Sequence, residues 1–71
     1  MKTNIPADVT GTIWKFETTV GAKVAADDTL VLIESMKMEI PVVAPRAGTV
    51  IEIKLAEGEA VAEGQVVVVL E

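Results

Sequence analysis

Residues 48–55 read GTVIEIKL, and 37 positions earlier residues 11–17 read GTIWKFE. Each stretch opens on Gly-Thr and then alternates apolar with charged side chains. Trp14 and Phe16 stand against Lys15 and Glu17, and Ile51, Ile53 and Leu55 against Glu52 and Lys54. Period-two alternation predicts a β-strand with one face towards a core. Ile13 and Val50 fall out of phase at the same place in both copies, which predicts a bulge near the glycine.

The repeat extends outward from these strands. A shift of 37 positions lays residues 1–34 over residues 38–71 without a gap. Identical pairs are Met1/Met38, Ala7/Ala44, Gly11/Gly48, Thr12/Thr49, Gly21/Gly58, Val24/Val61, Ala25/Ala62, Val31/Val68 and Glu34/Glu71. Those are nine identities in 34 positions, where composition alone would give about three or four. Seven more positions keep apolar opposite apolar, Phe16/Ile53 and Ile33/Leu70 among them. Ser35, Met36 and Lys37 belong to neither copy.

The remaining segments fit the same plan. TLVLIE (29–34) and VVVVLE (66–71) are short runs of β-branched and aliphatic residues, expected as strands buried on both faces. VGAKVAADD (20–28) and EGEAVAEG (57–64) are too short and too interrupted by glycine for stable helices. Each is expected to form a tight turn and a short strand. Asp27 stands where Gly64 stands in the second copy, and both residue types tolerate left-handed backbone. One turn geometry is thus expected twice. Pro6, Pro41 and Pro45 are expected near strand ends, where a missing N–H does least harm. About eight strands in two like halves imply an all-β flattened barrel or sandwich with quasi-twofold symmetry. The expected organisation is one domain, 1–71, with half-repeats 1–34 and 38–71 joined by 35–37.

Composition limits what such a body does. The chain has 71 residues, 51% of them apolar, with no Cys and no His. A chain this short buries only about 60% of the surface its unfolded form exposes. Disulfides and the usual zinc sites are absent as staples, so stability rests on apolar burial and backbone pairing. The net charge of −5 argues against nucleic acid and anionic membrane as partners, since both select basic surfaces. The longest apolar run, Val66–Leu70, is too short to span a bilayer. MKTNIPAD at the start lacks the apolar core of a signal peptide. A cytoplasmic, monomeric protein is expected. The run VVVVL is an aggregation hazard if exposed, with Glu63 and Glu71 as flanking charges.

The join between the halves carries the functional signal. It lies in IESMKMEI, residues 33–40. A two-residue turn at Met36-Lys37 sets Ser35 opposite Met38 and Glu34 opposite Glu39. Such turns need positive φ and normally recruit Asn-Gly or Asp-Gly, and like charges opposite each other destabilise a strand pair. Two local rules are broken at one place, as happens at functional sites. A turn-tip lysine is ordinarily just solvated, and methionines ordinarily fill cores. Here the flanking strands already supply core, and soft, adaptable methionine suits a surface that several partners grip.

Enzyme chemistry has little to stand on. There is no His, Cys or Tyr, and Ser35 has no evident base. Asp27-Asp28 suggests a metal less than a turn, because Gly64-Gln65 replaces it in the other half. Lys23, Lys54 and Arg46 are scattered and read as solvated charges. No glycine-rich loop leads into a helix to hold phosphate.

ESMKMEI resembles the modification motif of biotinyl domains, usually Ala-Met-Lys-Met. GTIWKF…VGAKV and APRAGTVIEIKLAEGEAVAEGQVVVVLE resemble the two halves of a biotinyl/lipoyl carrier domain, closest to the biotin carboxyl carrier type, and the resemblance covers the whole chain. It implies a barrel-sandwich hybrid of two four-stranded antiparallel sheets with the modified lysine on a hairpin tip. By position, Lys37 would carry biotin, with Met36, Met38, Ser35, Glu34 and Glu39 read by a biotin protein ligase. The implied partners beyond the ligase are biotin carboxylase and carboxyltransferase subunits, between which the arm would shuttle CO2. An amine protonated at neutral pH does not attack an unactivated acid, so the ligase would present biotin as an acyl adenylate. Tethering would raise the effective concentration of the ring at each site. Lipoyl domains of this family typically place Asp before the lysine and a small residue after it. Two methionines favour biotin, with lipoate or dual modification as the alternative and an unmodified interaction module as the alternative of another class. Ser35 departs from the usual Ala, and PADVTG departs from the Pro-Met-Pro-Gly of many members. The links Phe16–Gly21 and Ile53–Gly58 are equally long, which leaves no room for the thumb that some acetyl-CoA carboxylase carriers insert.

Overall fold

The computed structural model describes residues 2–71. Eight strands follow one another: β1 (Thr3–Pro6), β2 (Gly11–Phe16), β3 (Lys23–Val24), β4 (Thr29–Ser35), β5 (Met38–Val43), β6 (Gly48–Ile53), β7 (Ala60–Val61) and β8 (Val66–Leu70). They build two four-stranded antiparallel sheets, ordered β1-β8-β6-β3 and β5-β4-β2-β7. The body is elongated, 32 × 18 × 17 Å.

The repeat is written into the pairing. Adding 37 to each residue of the first half turns β1, β2, β3 and β4 into β5, β6, β7 and β8, so one sheet order becomes the other. Registers follow: Ile13↔Ile33 in β2–β4 becomes Val50↔Leu70 in β6–β8, and Gly11↔Val61 becomes Gly48↔Val24. Loop bonds follow too. Ala7 N donates to Gln65 O at 2.9 Å and Ala44 N to Asp28 O at 2.8 Å. Two halves related in this way have the quasi-twofold arrangement expected from sequence. The Met1/Met38 pair lies outside the described residues on its Met1 side.

The core obeys the same rule. Ile5/Val42, Ala7/Ala44, Ile13/Val50, Leu30/Val67, Val31/Val68 and Ile33/Leu70 are buried as pairs. β4 and β8 each lie between two strands of their sheet and supply half of this interior. Gly11 and Gly48 start the neighbouring strands, and a side chain on either would run into a backbone carbonyl, of Glu34 or of Glu71. Glycine there lets the strands approach closely.

The turns bear out the Asp27–Gly64 equivalence. Asp27 has φ 72° and Gly64 φ 88°. Asp28 Oδ2 accepts from Ala25 N at 2.8 Å, and Gln65 Oε1 accepts from Ala62 N at 3.0 Å. The Asp27-Asp28 pair is therefore turn chemistry.

Three expectations need correction. Strict alternation placed Trp14 on the inner face of its strand with Phe16. Instead Ile13 is 1% exposed and Trp14 46%. Register runs from Ile13↔Ile33 directly to Lys15↔Leu32, so Trp14 is the extra residue of the bulge, and Ile51 is its counterpart in β6. The bulge was foreseen, but its effect on the phase was misassigned. Pro41 stands inside β5, not near its end. β5 is an edge strand. Pro41 faces Leu32, one of the pairs that alternate with the hydrogen-bonded ones counted from the turn, so no ladder bond needs its N–H. Arg46 is not a freely solvated charge: it is half-buried, its Nε donates to Thr3 Oγ1 at 2.9 Å, and it ties the β5–β6 loop to β1.

Candidate functional site at the β4–β5 hairpin

Register pairs Ile33↔Ile40, Glu34↔Glu39 and Ser35↔Met38, leaving Met36 and Lys37 as a two-residue turn. Both turn residues have positive φ, 52° at Met36 and 65° at Lys37, as a type I′ turn requires. Left-handed backbone costs a residue with a side chain roughly 1–2 kcal/mol. The site thus keeps two costly residues where Asn-Gly would be easier. Burial of Ile33 and pairing along the rest of β4 and β5 hold the hairpin in place.

The tip is offered to solvent. Met36 is 92% exposed and Met38 64%, so neither is core. Lys37 is exposed and makes no hydrogen bond or ion pair with any described residue. Glu34 and Glu39 are exposed and directly opposed across the strands. A free primary amine on an uncluttered turn is accessible to an acyl group carried on another protein. Among the described residues no cluster of three or more His, Cys, Asp and Glu is present that could hold a metal.

Ser35 is placed differently from its neighbours. It is half-buried, and its Oγ donates to Thr10 O at 2.9 Å. Thr10 Oγ1 in turn accepts from Glu63 N at 3.0 Å. Sequence reasoning grouped Ser35 with the residues that a partner reads, and missed Thr10 and Glu63. One signal was present: Thr10 corresponds to Ala47 in the repeat, so its hydroxyl belongs to one half alone.

A groove of about 710 Å³ is lined by Phe16, Thr18, Lys23, Val24, Asp28 and Thr29 among others and contains none of the hairpin residues. Among the described residues no helix is long and apolar enough to cross a membrane.

Comparison with known proteins identifies the family and the fold. The family model described as biotin-requiring enzyme matches residues 4–70. The chain is 39% identical over 66 residues to the biotin/lipoyl attachment protein of Bacillus subtilis, covering 93% of this chain and 90% of that protein. It is 42% identical over 60 residues to the biotin carboxyl carrier protein of Streptococcus mutans, covering 84% of this chain and 46% of the relative. The crystal structure of Kluyveromyces lactis urea carboxylase superposes with a TM-score of 0.95 and 34% identity over all of this chain, which amounts to 6% of that enzyme. The chain belongs to the biotin-requiring enzyme family of biotin/lipoyl domains.

Proposed function

We propose that Lys37 is the covalent biotin attachment residue, and that the chain is a non-catalytic biotin carboxyl carrier serving a multi-component biotin-dependent carboxylase. The observation that carries this reading is the exposed amine of Lys37, unpaired among the described residues, on a positive-φ turn between two exposed methionines. The names of the relatives support it, since one is a biotin carboxyl carrier protein and another a urea carboxylase.

The residues present fit such a group. Attachment requires Lys37 Nζ, after losing a proton, to attack the carbonyl of an acyl adenylate held by a biotin protein ligase. The C–N bond forms, the anhydride C–O bond breaks and AMP leaves. The turn projects Nζ away from the barrel, so a ligase can close around it without disturbing the core. Met36 and Met38 supply adaptable apolar contact for successive partners, and Glu34 and Glu39 frame the tip with negative charge. Biotin bound there supplies a ring nitrogen that carries CO2 between the biotin carboxylase and carboxyltransferase sites. Amide formation removes the Lys37 charge, and the rigid barrel serves as the handle of the arm. The reading places the carrier in the cytoplasm with its carboxylase partners, free of nucleic acid and membrane.

Coexpression with a biotin protein ligase followed by intact mass spectrometry tests it. One biotinyl adduct is expected on the native chain and none on Lys37→Arg. An adduct that persists in that variant, or no adduct at all, refutes the assignment. The name of the Bacillus subtilis relative, a biotin/lipoyl attachment protein, keeps lipoate as the second reading. A lipoyl mass increment on Lys37 would establish it, and no increment with either ligase would leave an interaction module.

A further inference from the structure

Three separate segments meet at the base of the hairpin. Ser35 ends β4, Thr10 lies in the β1–β2 loop, and Glu63 lies in the turn between β7 and β8. Two hydrogen bonds join them in series, Ser35 Oγ to Thr10 O and Glu63 N to Thr10 Oγ1. Thr10 is the shared member, giving its carbonyl to one neighbour and its hydroxyl to the other.

The internal repeat serves as a control. Backbone pairing is duplicated throughout the two halves, as are the turn bonds of Asp28 and Gln65. This chain of bonds is not duplicated. The counterparts of Thr10 and Glu63 are Ala47 and Ala26, and Ser35 has no counterpart. At the other end Arg46 Nη1 donates to Ala47 O at 2.8 Å instead, so a side-chain tie to this carbonyl exists at both ends, but the Ser35–Thr10–Glu63 series is particular to one. It exists only at the end that bears Lys37.

We infer that Ser35 and Thr10 form a latch that fixes the orientation of the hairpin tip, so that Ser35 acts as a positioning residue for Lys37 and not as a residue that the modifying enzyme reads. The turn has reason to need one. Its two residues hold positive φ without glycine, and Glu34 and Glu39 repel across the strands directly beneath it. Nothing beyond Ser35 anchors the tip by a side-chain hydrogen bond among the described residues. Releasing the latch leaves the strands paired but lets the tip sample other orientations. A ligase then meets a smaller competent fraction, which raises the apparent KM for the carrier while kcat stays.

The inference rests on the attachment reading for its kinetic part only. The full chain would be compared with Ser35→Ala, Ser35→Thr and Thr10→Val, the last nearly isosteric and retaining the carbonyl. Amide hydrogen exchange across residues 34–39 is expected to quicken about two- to tenfold in Ser35→Ala, in line with loss of one ordinary hydrogen bond, and by less in Thr10→Val, which keeps the acceptor carbonyl and loses only its bond from Glu63 N. With biotin, ATP and a biotin protein ligase, Ser35→Ala should raise KM by a similar factor and Thr10→Val by less, each with kcat within about twofold. Ser35→Thr keeps the hydroxyl and should restore both, and the global unfolding midpoint should hardly move. Unchanged exchange in Ser35→Ala overturns the latch. So does a KM defect in Ser35→Ala that comes without faster exchange across residues 34–39, because that pattern means direct contact between Ser35 and the ligase. If the ligase modifies no variant, native chain included, the attachment reading fails, and the exchange measurement still decides the latch.

Discussion

Met36 and Lys37 hold the backbone conformation that glycine holds most easily. Replacing Met36→Asn and Lys37→Gly together suits a type I′ turn and should raise unfolding stability by about 1–2 kcal/mol in urea titration. The same change removes the amine and should abolish any biotin adduct in intact mass. Stability gained with function lost is the trade expected where a site keeps a local conflict. Gly64 tests the same physics away from the site. No atom lies within 4 Å of a Cβ built there, so only backbone strain acts. Gly64→Asp, copying Asp27, should cost less than about 1 kcal/mol, and Gly64→Val clearly more. This equivalence was legible in the sequence because the turn residue types differ while their tolerance of positive φ is shared. The Ser35–Thr10 bond was not legible, because its partners lie 25 positions apart and the acceptor is a backbone carbonyl that no side-chain pattern announces.

At the scale of elements, the paired bulges in β2 and β6 decide which side chains the sheets bury. Each inserts one residue, so the alternation seen in GTIWKFE mixes two phases: Ile13 counts inward before the bulge, and Trp14 is turned outward by it. Sequence showed that a bulge exists, since Ile13 and Val50 break phase together, but not which residue it displaces. Close approach of strands is the other element-level constraint. A methyl group at Gly11 would meet the Glu34 carbonyl and Ile33 Cγ2, on a β4 strand that is buried and paired on both sides. At Gly48 it would meet the tip of the flexible Arg46 side chain and the carbonyl of Glu71, each at 2.9 Å, whereas the Glu34 carbonyl stands closer still to a methyl group at Gly11. Gly11→Ala should therefore cost about 1–3 kcal/mol, and Gly48→Ala less, by chemical denaturation. The Gly11 variant should also disturb the hairpin base, because Glu34 adjoins Ser35.

At the scale of the molecule, the halves are interleaved and not merely stacked. The first sheet takes β1 and β3 from one half and β6 and β8 from the other, and the second sheet takes β2 and β4 against β5 and β7. The gapless repeat made two like halves legible, but not how they share sheets, because registers between halves leave no periodic trace. Interleaving makes the fold depend on both halves at once. Without β8, the first sheet loses the strand between β1 and β6, along with the buried side chains of Val67, Val68, Val69 and Leu70. Each such side chain is worth roughly 1.5–3 kcal/mol of burial, and a small domain has only about 5–15 kcal/mol of net stability to lose. A chain ending at Gln65 should therefore fail to fold. It would also leave the edges of β1 and β6 unpaired and the apolar inner face of the second sheet uncovered, so it should be recovered as insoluble material. A cut at the hairpin instead of before β8 removes no residue, yet each half alone should be unfolded by circular dichroism. Mixing the two should restore the β signal if the interleaved pairing, and not the covalent join, holds the barrel. A half that folds by itself, or a soluble folded fragment of residues 1–65, would contradict this account.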